Sequence, residues 1–135
     1  MGATQVTVNG LEPVQTTAAP AAIGPYSQAI RAGNLLFCSG QIALDPGSGD
    51  LVPGGFEDQV HRAIQNMRAV IEAGGGSLAR CVKLTLFLTD LGQFPAANEI
   101  MKTYFEAPYP ARSTVGVASL PRQAQFEIEA VVLLG

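Results

Sequence analysis

Between Phe56 and Ile71 the apolar residues Phe56, Val60, Ile64, Met67 and Ile71 return at helical intervals, with Glu57, Arg62, Gln65, Arg68 and Glu72 mostly on the remaining faces. A little further on the period becomes two: Val82, Leu84, Leu86 and Leu88 alternate with Lys83, Thr85, Phe87 and Thr89. Gly74-Gly75-Gly76 separates the two patterns. An amphipathic helix that stops at glycine and feeds a strand must bury its apolar stripe against a sheet, which constrains the fold more than any other feature of the chain. The same glycines exclude a phosphate-cradling loop, because such loops run from strand into helix and this one runs from helix towards strand.

The other elements follow from similar patterns. Tyr26–Arg31 and Leu35–Ser39 flank Ala32-Gly33-Asn34 and read as a hairpin. Asp45-Pro46-Gly47-Ser48-Gly49-Asp50 and Pro53-Gly54-Gly55 form a loop whose aspartates have the wrong spacing for calcium. Asp90 is placed to cap a second helix with the stripe Phe94, Ala97, Met101, Tyr104 and Phe105, ended by Pro108 and Pro110. Arg112–Ala118 and Gln125–Leu134 read as the last strands, joined through Leu120-Pro121. Residues 1–19 form an extension without sustained period, with an edge strand expected at Gln5–Val8, and residues 20–135 form one α/β (α+β) domain. The predicted order is β-β-α-β-α-β-β with an extra N-terminal strand.

Two helices can cover only one face of a sheet of five or six strands. On the last strand Phe126, Ile128, Ala130, Val132 and Leu134 point one way, and Glu127, Glu129, Val131 and Leu133 the other. Helices are expected over the first set and neighbouring copies of the chain over the second, which would put Glu127 and Glu129 near an intersubunit cleft. Composition agrees: charged residues are 14% of the chain against roughly 25% in ordinary soluble domains. So little charge suits a molecule that hides apolar surface by self-association.

A net charge of −3, a pI near 5.0 and the absence of any basic run argue against a nucleic-acid partner. No apolar stretch approaches the ~20 residues of a membrane span. The first basic residue is Arg31, so no signal peptide is recognisable, and a cytoplasmic protein is expected. Val6 stands where a myristoylation signal needs Ser or Thr. Cys38, Cys81 and the single His61 fall in no metal-ligand spacing, so no metal is expected, and both cysteines read as reduced, buried small hydrophobes.

Few residues suggest chemistry. Arg112, in Pro110-Ala111-Arg112-Ser113, begins a strand after a proline-rich turn, where its guanidinium fork suits a carboxylate or phosphate, or else an ion pair with Glu106 or Glu127. Glu127 and Glu129 share a strand face and form either a paired-carboxylate site or a solvated pair. Ser39-Gly40-Gln41 lacks the nucleophile-elbow pattern, and His61 reads as a helix-surface histidine without an acid partner. Tyr26 follows the stiff Gly24-Pro25 turn and lines either a pocket or the core.

Taken in order, Ala21-Ala22-Ile23-Gly24-Pro25-Tyr26-Ser27-Gln28, Ser39-Gly40-Gln41, Phe94 to Asn98, Pro110-Ala111-Arg112-Ser113, Leu120-Pro121 and Glu127-Ile128-Glu129-Ala130 resemble the reactive intermediate deaminase (Rid, or YjgF) family, in particular its RidA subgroup. The resemblance runs from about Ala19 to the C-terminus. It implies a chorismate-mutase-like α/β fold, a homotrimer with sites in the clefts between subunits, and cofactor-free hydrolysis of 2-aminoacrylate/2-iminopropanoate and 2-iminobutanoate to keto acids and ammonia. It further implies that Arg112 binds the substrate carboxylate and Glu127 places the attacking water. Tyr26, Ser39 and Gly40 match further pocket positions, Asn98 a supporting one, and Glu129 is left to structure or interface. Thr114 stands where some relatives carry cysteine, so thiol-based regulation is not implied. Two other readings stay open: an endoribonuclease or translation inhibitor, which the charge disfavours, and a non-catalytic trimer binding small carboxylates or acting as a chaperone.

Overall fold

A computed structural model of the chain describes residues 7–135. The helical period becomes α1, Phe56–Ala73. The backbone N–H of Gly55 donates to Asp58 Oδ2 at 3.0 Å, which occupies a donor at the helix entrance. At the exit Gly74 N–H donates to the Val70 carbonyl, and Gly75 takes φ +93°, a left-handed turn that glycine makes without Cβ strain. Val60, Ile64, Met67, Val70 and Ile71 are fully buried, as the stripe requires.

The strands are β1 Leu11–Val14, β2 Ala29–Ala32, β3 Leu35–Gln41, β4 Cys81–Leu88, β5 Ala111–Gly116 and β6 Phe126–Leu133, with α2 at Phe94–Tyr104. They form one mixed sheet in the order β1-β2-β3-β6-β4-β5. Only β4 and β5 run parallel, joined by α2; β3 and β4 are joined by α1 and both pair antiparallel with β6 between them. The helices pack side by side on the same face of the sheet, where Phe126, Ile128 and Val132 of β6 and Leu84, Leu86 and Leu88 of β4 are buried. The other face, carrying Phe37, Phe87, Val131 and Leu133, has no covering element within the described chain.

Three expectations shift. Of the strand expected at Gln5–Val8, Gln5 and Val6 lie outside the described residues, and Val8 makes an isolated bridge to Leu11 across an Asn9-Gly10 turn; the edge strand is Leu11–Val14, paired with β2. The hairpin closes at Gly33-Asn34, but β2 begins only at Ala29, because Gly24 at φ +121° and Pro25 hold the preceding segment in a turn. Asp90 caps a short 3-10 turn, Leu91–Gln93, by accepting from Gly92 N–H at 2.9 Å, and α2 starts after it with Pro95 in its first turn. Proline is favoured there because that N–H would have no helical partner.

Candidate functional site

Alternation along β6 puts Glu127 on the uncovered face, anchored by its neighbour Phe126, which is fully buried and packs edge-on against Phe56 with centroids 6.1 Å apart. Opposite it β3 carries a bulge: Cys38 pairs with Ala130 and Gln41 with Ile128, so Ser39 and Gly40 together face one residue of β6. The bulge carries the Gly40 backbone against the Glu127 side chain, and a methyl group at position 40 would overlap the carboxylate. Burial raises the Glu127 pKa above the ordinary 4.5, and the nearby Glu129 charge raises it further.

Glu127 opens into a largely apolar cavity of about 330 Å³ walled by Tyr26, Gly40, Ile42, Leu44, Pro121 and Arg122. Tyr26 is half exposed, on the turn after Pro25. That turn is tied down twice. The Ser39 hydroxyl donates to the Ser27 carbonyl at 2.6 Å, and the buried Gln28 amide accepts from Thr16 N–H and donates to the carbonyls of Thr16 and Pro20. Ser39 thus stands behind the cavity wall, its hydroxyl proton committed to the loop.

Arg112 belongs to a second cavity, of about 390 Å³, shared with Asn98, Met101, Lys102, Phe105 and Tyr109. It pairs in register with the buried Leu84 and therefore projects to the helix side of the sheet. There its guanidinium donates to Asn98 Oδ1 at 2.9 Å and lies 5.0 Å from the centroid of the Phe94 ring. Phe94 and Asn98 are one helical turn apart on α2, which explains why that stretch and the arginine go together. Neither Glu106 nor Glu127 pairs with Arg112.

The residues expected in one site therefore fall into two groups. Tyr26, Gly40 and Glu127 meet in one cavity with Ser39 behind them; Arg112 and Asn98 meet in another. Glu127 pairs with Phe87, on the face opposite to Leu84 and Arg112, so the sheet itself separates the two groups within a single chain. Glu129 is exposed beside Thr85 on the uncovered face.

Sequence reasoning missed Arg122. Its backbone sits at φ +60°, unusual for a side chain with Cβ, and its guanidinium donates to the Gly49 carbonyl at 3.1 Å while lining the Glu127 cavity. The one available signal was a lone basic residue directly after Leu120-Pro121. His61 departs from the solvated reading: it is half-buried and shares a hydrogen bond of 2.7 Å with Tyr104 Oη, linking α1 to α2. Cys38 and Cys81 are free and buried on the helix side, and burial pushes each thiol up to about 12, which leaves them inert. No described helix is long and apolar enough to cross a membrane.

A six-stranded mixed sheet with two helices on one face, one cavity holding an apolar-walled carboxylate and another a stacked arginine, defines an α+β protein. The chain belongs to the family described as Endoribonuclease L-PSP, whose model matches residues 16–134, and the Rid resemblance of the motifs is borne out. A relative from Mus musculus named 2-iminobutanoate/2-iminopropanoate deaminase is 46% identical over 90% of this chain and 90% of its own. The crystal structure of RidA from an Antarctic Psychrobacter is similar with a TM-score of 0.86 and 43% identity, covering 90% of this chain and 98% of that one. The structure of TdcF from E. coli with bound serine has a TM-score of 0.86 at 39% identity, covering 91% and 98%.

Proposed function

We propose that this chain hydrolyses small 2-imino and 2-enamino acids, of the 2-iminobutanoate and 2-iminopropanoate class, to 2-keto acids and ammonia. The observation that carries the reading is the carboxylate of Glu127, held half-buried against the Gly40 backbone in an apolar cavity with its pKa raised. A carboxylate so tuned is a better base near neutral pH than an exposed one. Glu127 takes a proton from a water as the water oxygen bonds to the imine carbon and passes it to the imine nitrogen, giving a carbinolamine. The carboxylate then takes the hydroxyl proton and delivers it to the amino nitrogen as the C–N bond breaks, so that ammonia leaves and the carbonyl of the keto acid forms.

Arg112 clamps the substrate carboxylate, with Asn98 and the Phe94 ring fixing the plane of its fork. Because Arg112 and Glu127 lie on opposite faces of one sheet, we infer that a working site joins Arg112 of one copy to Glu127 of the next, in a chorismate-mutase-like homotrimer packed through the uncovered face. The mouse relative's name and the serine held by the E. coli relative support a small amino-acid-like substrate. The family description names an endoribonuclease, but a chain of net charge −3 without a basic run favours a small substrate over RNA. The same reading puts the reaction in the cytoplasm and requires no cofactor.

The experiment is a mixing test. Arg112→Ala and Glu127→Gln chains, each expected to be inactive alone, are unfolded together and refolded at equal amounts, and loss of 2-iminobutanoate is followed by semicarbazide trapping. A shared site in a cyclic trimer predicts recovery of about one quarter of wild-type activity, the fraction of neighbour pairs that supply one intact group each. No recovery from chains that reassemble would overturn the shared site, and an inactive wild type would overturn the reaction.

A further inference from the structure

Two buried side-chain amides of α1 take no part in the chemistry above, yet both reach the frame that holds Glu127. Gln59 is 3% exposed and Asn66 fully buried, and two turns of helix separate them, so they share one face of α1. Gln59 Oε1 accepts from the backbone N–H of Gln125 at 2.9 Å, immediately before β6 begins and two residues before Glu127. Asn66 Nδ2 donates to the carbonyls of Ile42 and Leu44, at 3.2 and 2.8 Å, and those two residues wall the Glu127 cavity.

In a poorly solvated interior such bonds are strong, and the polar groups they satisfy are costly to leave unpaired. The face that carries the amides is itself fixed, since Val60, Ala63 and Met67 beside them are fully buried. One rigid helix thus grips both backbone segments that bound the cavity: the one that leads into Glu127 and the one that faces it.

We propose that Gln59 and Asn66 are positioning residues for the hydrolytic site, two amides on one face of α1 that fix the Glu127 strand and the Ile42–Leu44 wall relative to each other. The proposal rests on the imine-hydrolysis reading. Neither amide touches substrate. Each acts through backbone, so its loss shifts the carboxylate against the water it must place and leaves the Arg112 clamp, in the other cavity, unaltered. Small displacements at a reacting centre cost far more in turnover than in binding.

The signature is therefore kinetic. Gln59→Met removes the acceptor at nearly constant volume, and Gln59→Glu restores an acceptor oxygen. With folded, assembled protein, kcat on 2-iminobutanoate is expected to fall about 10- to 100-fold in Gln59→Met while KM stays within about threefold, and Gln59→Glu is expected to recover most of the loss. Asn66→Leu is expected to move kcat in the same direction and supplies the test if Gln59→Met does not fold.

A readout independent of turnover is the carbon-13 titration of the Glu127 side-chain carboxyl in wild type and Gln59→Met, with Glu129 on its own strand and Arg122 across the cavity as the charged neighbours. Glu127 is expected to move towards the ordinary carboxylate range. Unchanged kcat in a folded variant, or losses that merely follow the folded fraction with Gln59→Glu no better than Gln59→Met, would overturn the proposal. Wild type inactive on imines, with the Glu127 titration nonetheless moved in Gln59→Met relative to wild type, would overturn the reaction and leave the positioning role standing.

Discussion

The two halves of the candidate site are built by different means. Glu127 stands in the centre of the sheet, on a strand paired on both sides, with a bulge and a glycine closing around it and a helix-borne amide holding the backbone that leads into its strand. Arg112 stands on β5, an edge strand whose residues are almost all exposed, and it is oriented by one hydrogen bond and one aromatic ring. The first half resists displacement; the second has one free edge and an exposed guanidinium. The contrast fits the proposed roles: a group that places water needs rigidity, because its work depends on distance, whereas a carboxylate clamp tolerates adjustment because charge attraction falls off slowly with distance.

The sharpest way to break this contrast is Gly40→Ala. The added methyl would overlap the Glu127 carboxylate, so the side chain must swing away or the bulge must open. Turnover is expected to fall at least about 100-fold, with the fold and the affinity for a non-reactive keto acid largely kept. Steady-state kinetics beside a direct binding measurement checks it. Loss of affinity equal to the loss of turnover would show that the two halves are not separable in the way described.

A smaller effect is expected on the uncovered face. Phe37 is 46% exposed and pairs with Val131 at the middle of that face. Phe37→Asp should leave the single chain folded, since Phe37 points away from the helix-side core, but should drive the proposed trimer towards monomer and lower activity about tenfold or more at micromolar concentration, because burying an unpaired carboxylate is costly. Sedimentation velocity and activity across a dilution series test it. A Phe37→Asp trimer with full activity would mean that another surface joins the copies.

Most of the fold was legible because the chain states its periods plainly: Phe56 to Ile71 as helix, Val82 to Leu88 as strand, and a last strand with two different faces. The N-terminal edge was not. Leu11–Val14 is short and interrupted by Pro13, so its period carries little signal, and only its hydrogen-bonding partner, β2, marks it as a strand. Within the site, Arg112, Glu127 and Tyr26 stood out as candidates from the residues themselves, the motif resemblance gave Arg112 and Glu127 their expected roles and added Asn98, Ser39 and Gly40, and Gly40 acquired its physical reason only from the bulge. The separation of Arg112 from Glu127 was beyond reach, since it depends on the register of β4 against both neighbours, and register is a tertiary property. Gln59 and Asn66 carry no motif and nothing in the sequence singles them out; what distinguishes them is burial and their bonds to the backbone of Gln125, Ile42 and Leu44, which only the folded chain brings to them.

The smallest expected effect sharpens the contrast from the side of stability. Glu127 has its pKa raised by burial and by Glu129, so between the ordinary value near 4.5 and its folded value the native state holds more protons than the unfolded chain. Stability contributed by this group therefore falls as pH rises through that window. Glu12 behaves in the opposite sense: its hydrogen bond with Arg31 at 2.9 Å lowers its pKa, so it contributes stability above the carboxylate range that is lost as the pH drops. Glu127→Gln should accordingly raise the thermal midpoint slightly, by a margin larger at pH 7 than at pH 4, and Glu12→Gln should lower it slightly with the larger margin again at pH 7. Melting curves of the two variants across that range test both signs together. Equal margins for Glu127→Gln at both pH values would mean that its carboxylate is ordinarily solvated and that burial does not tune it, which would remove the physical basis for the proposal that it acts as a base.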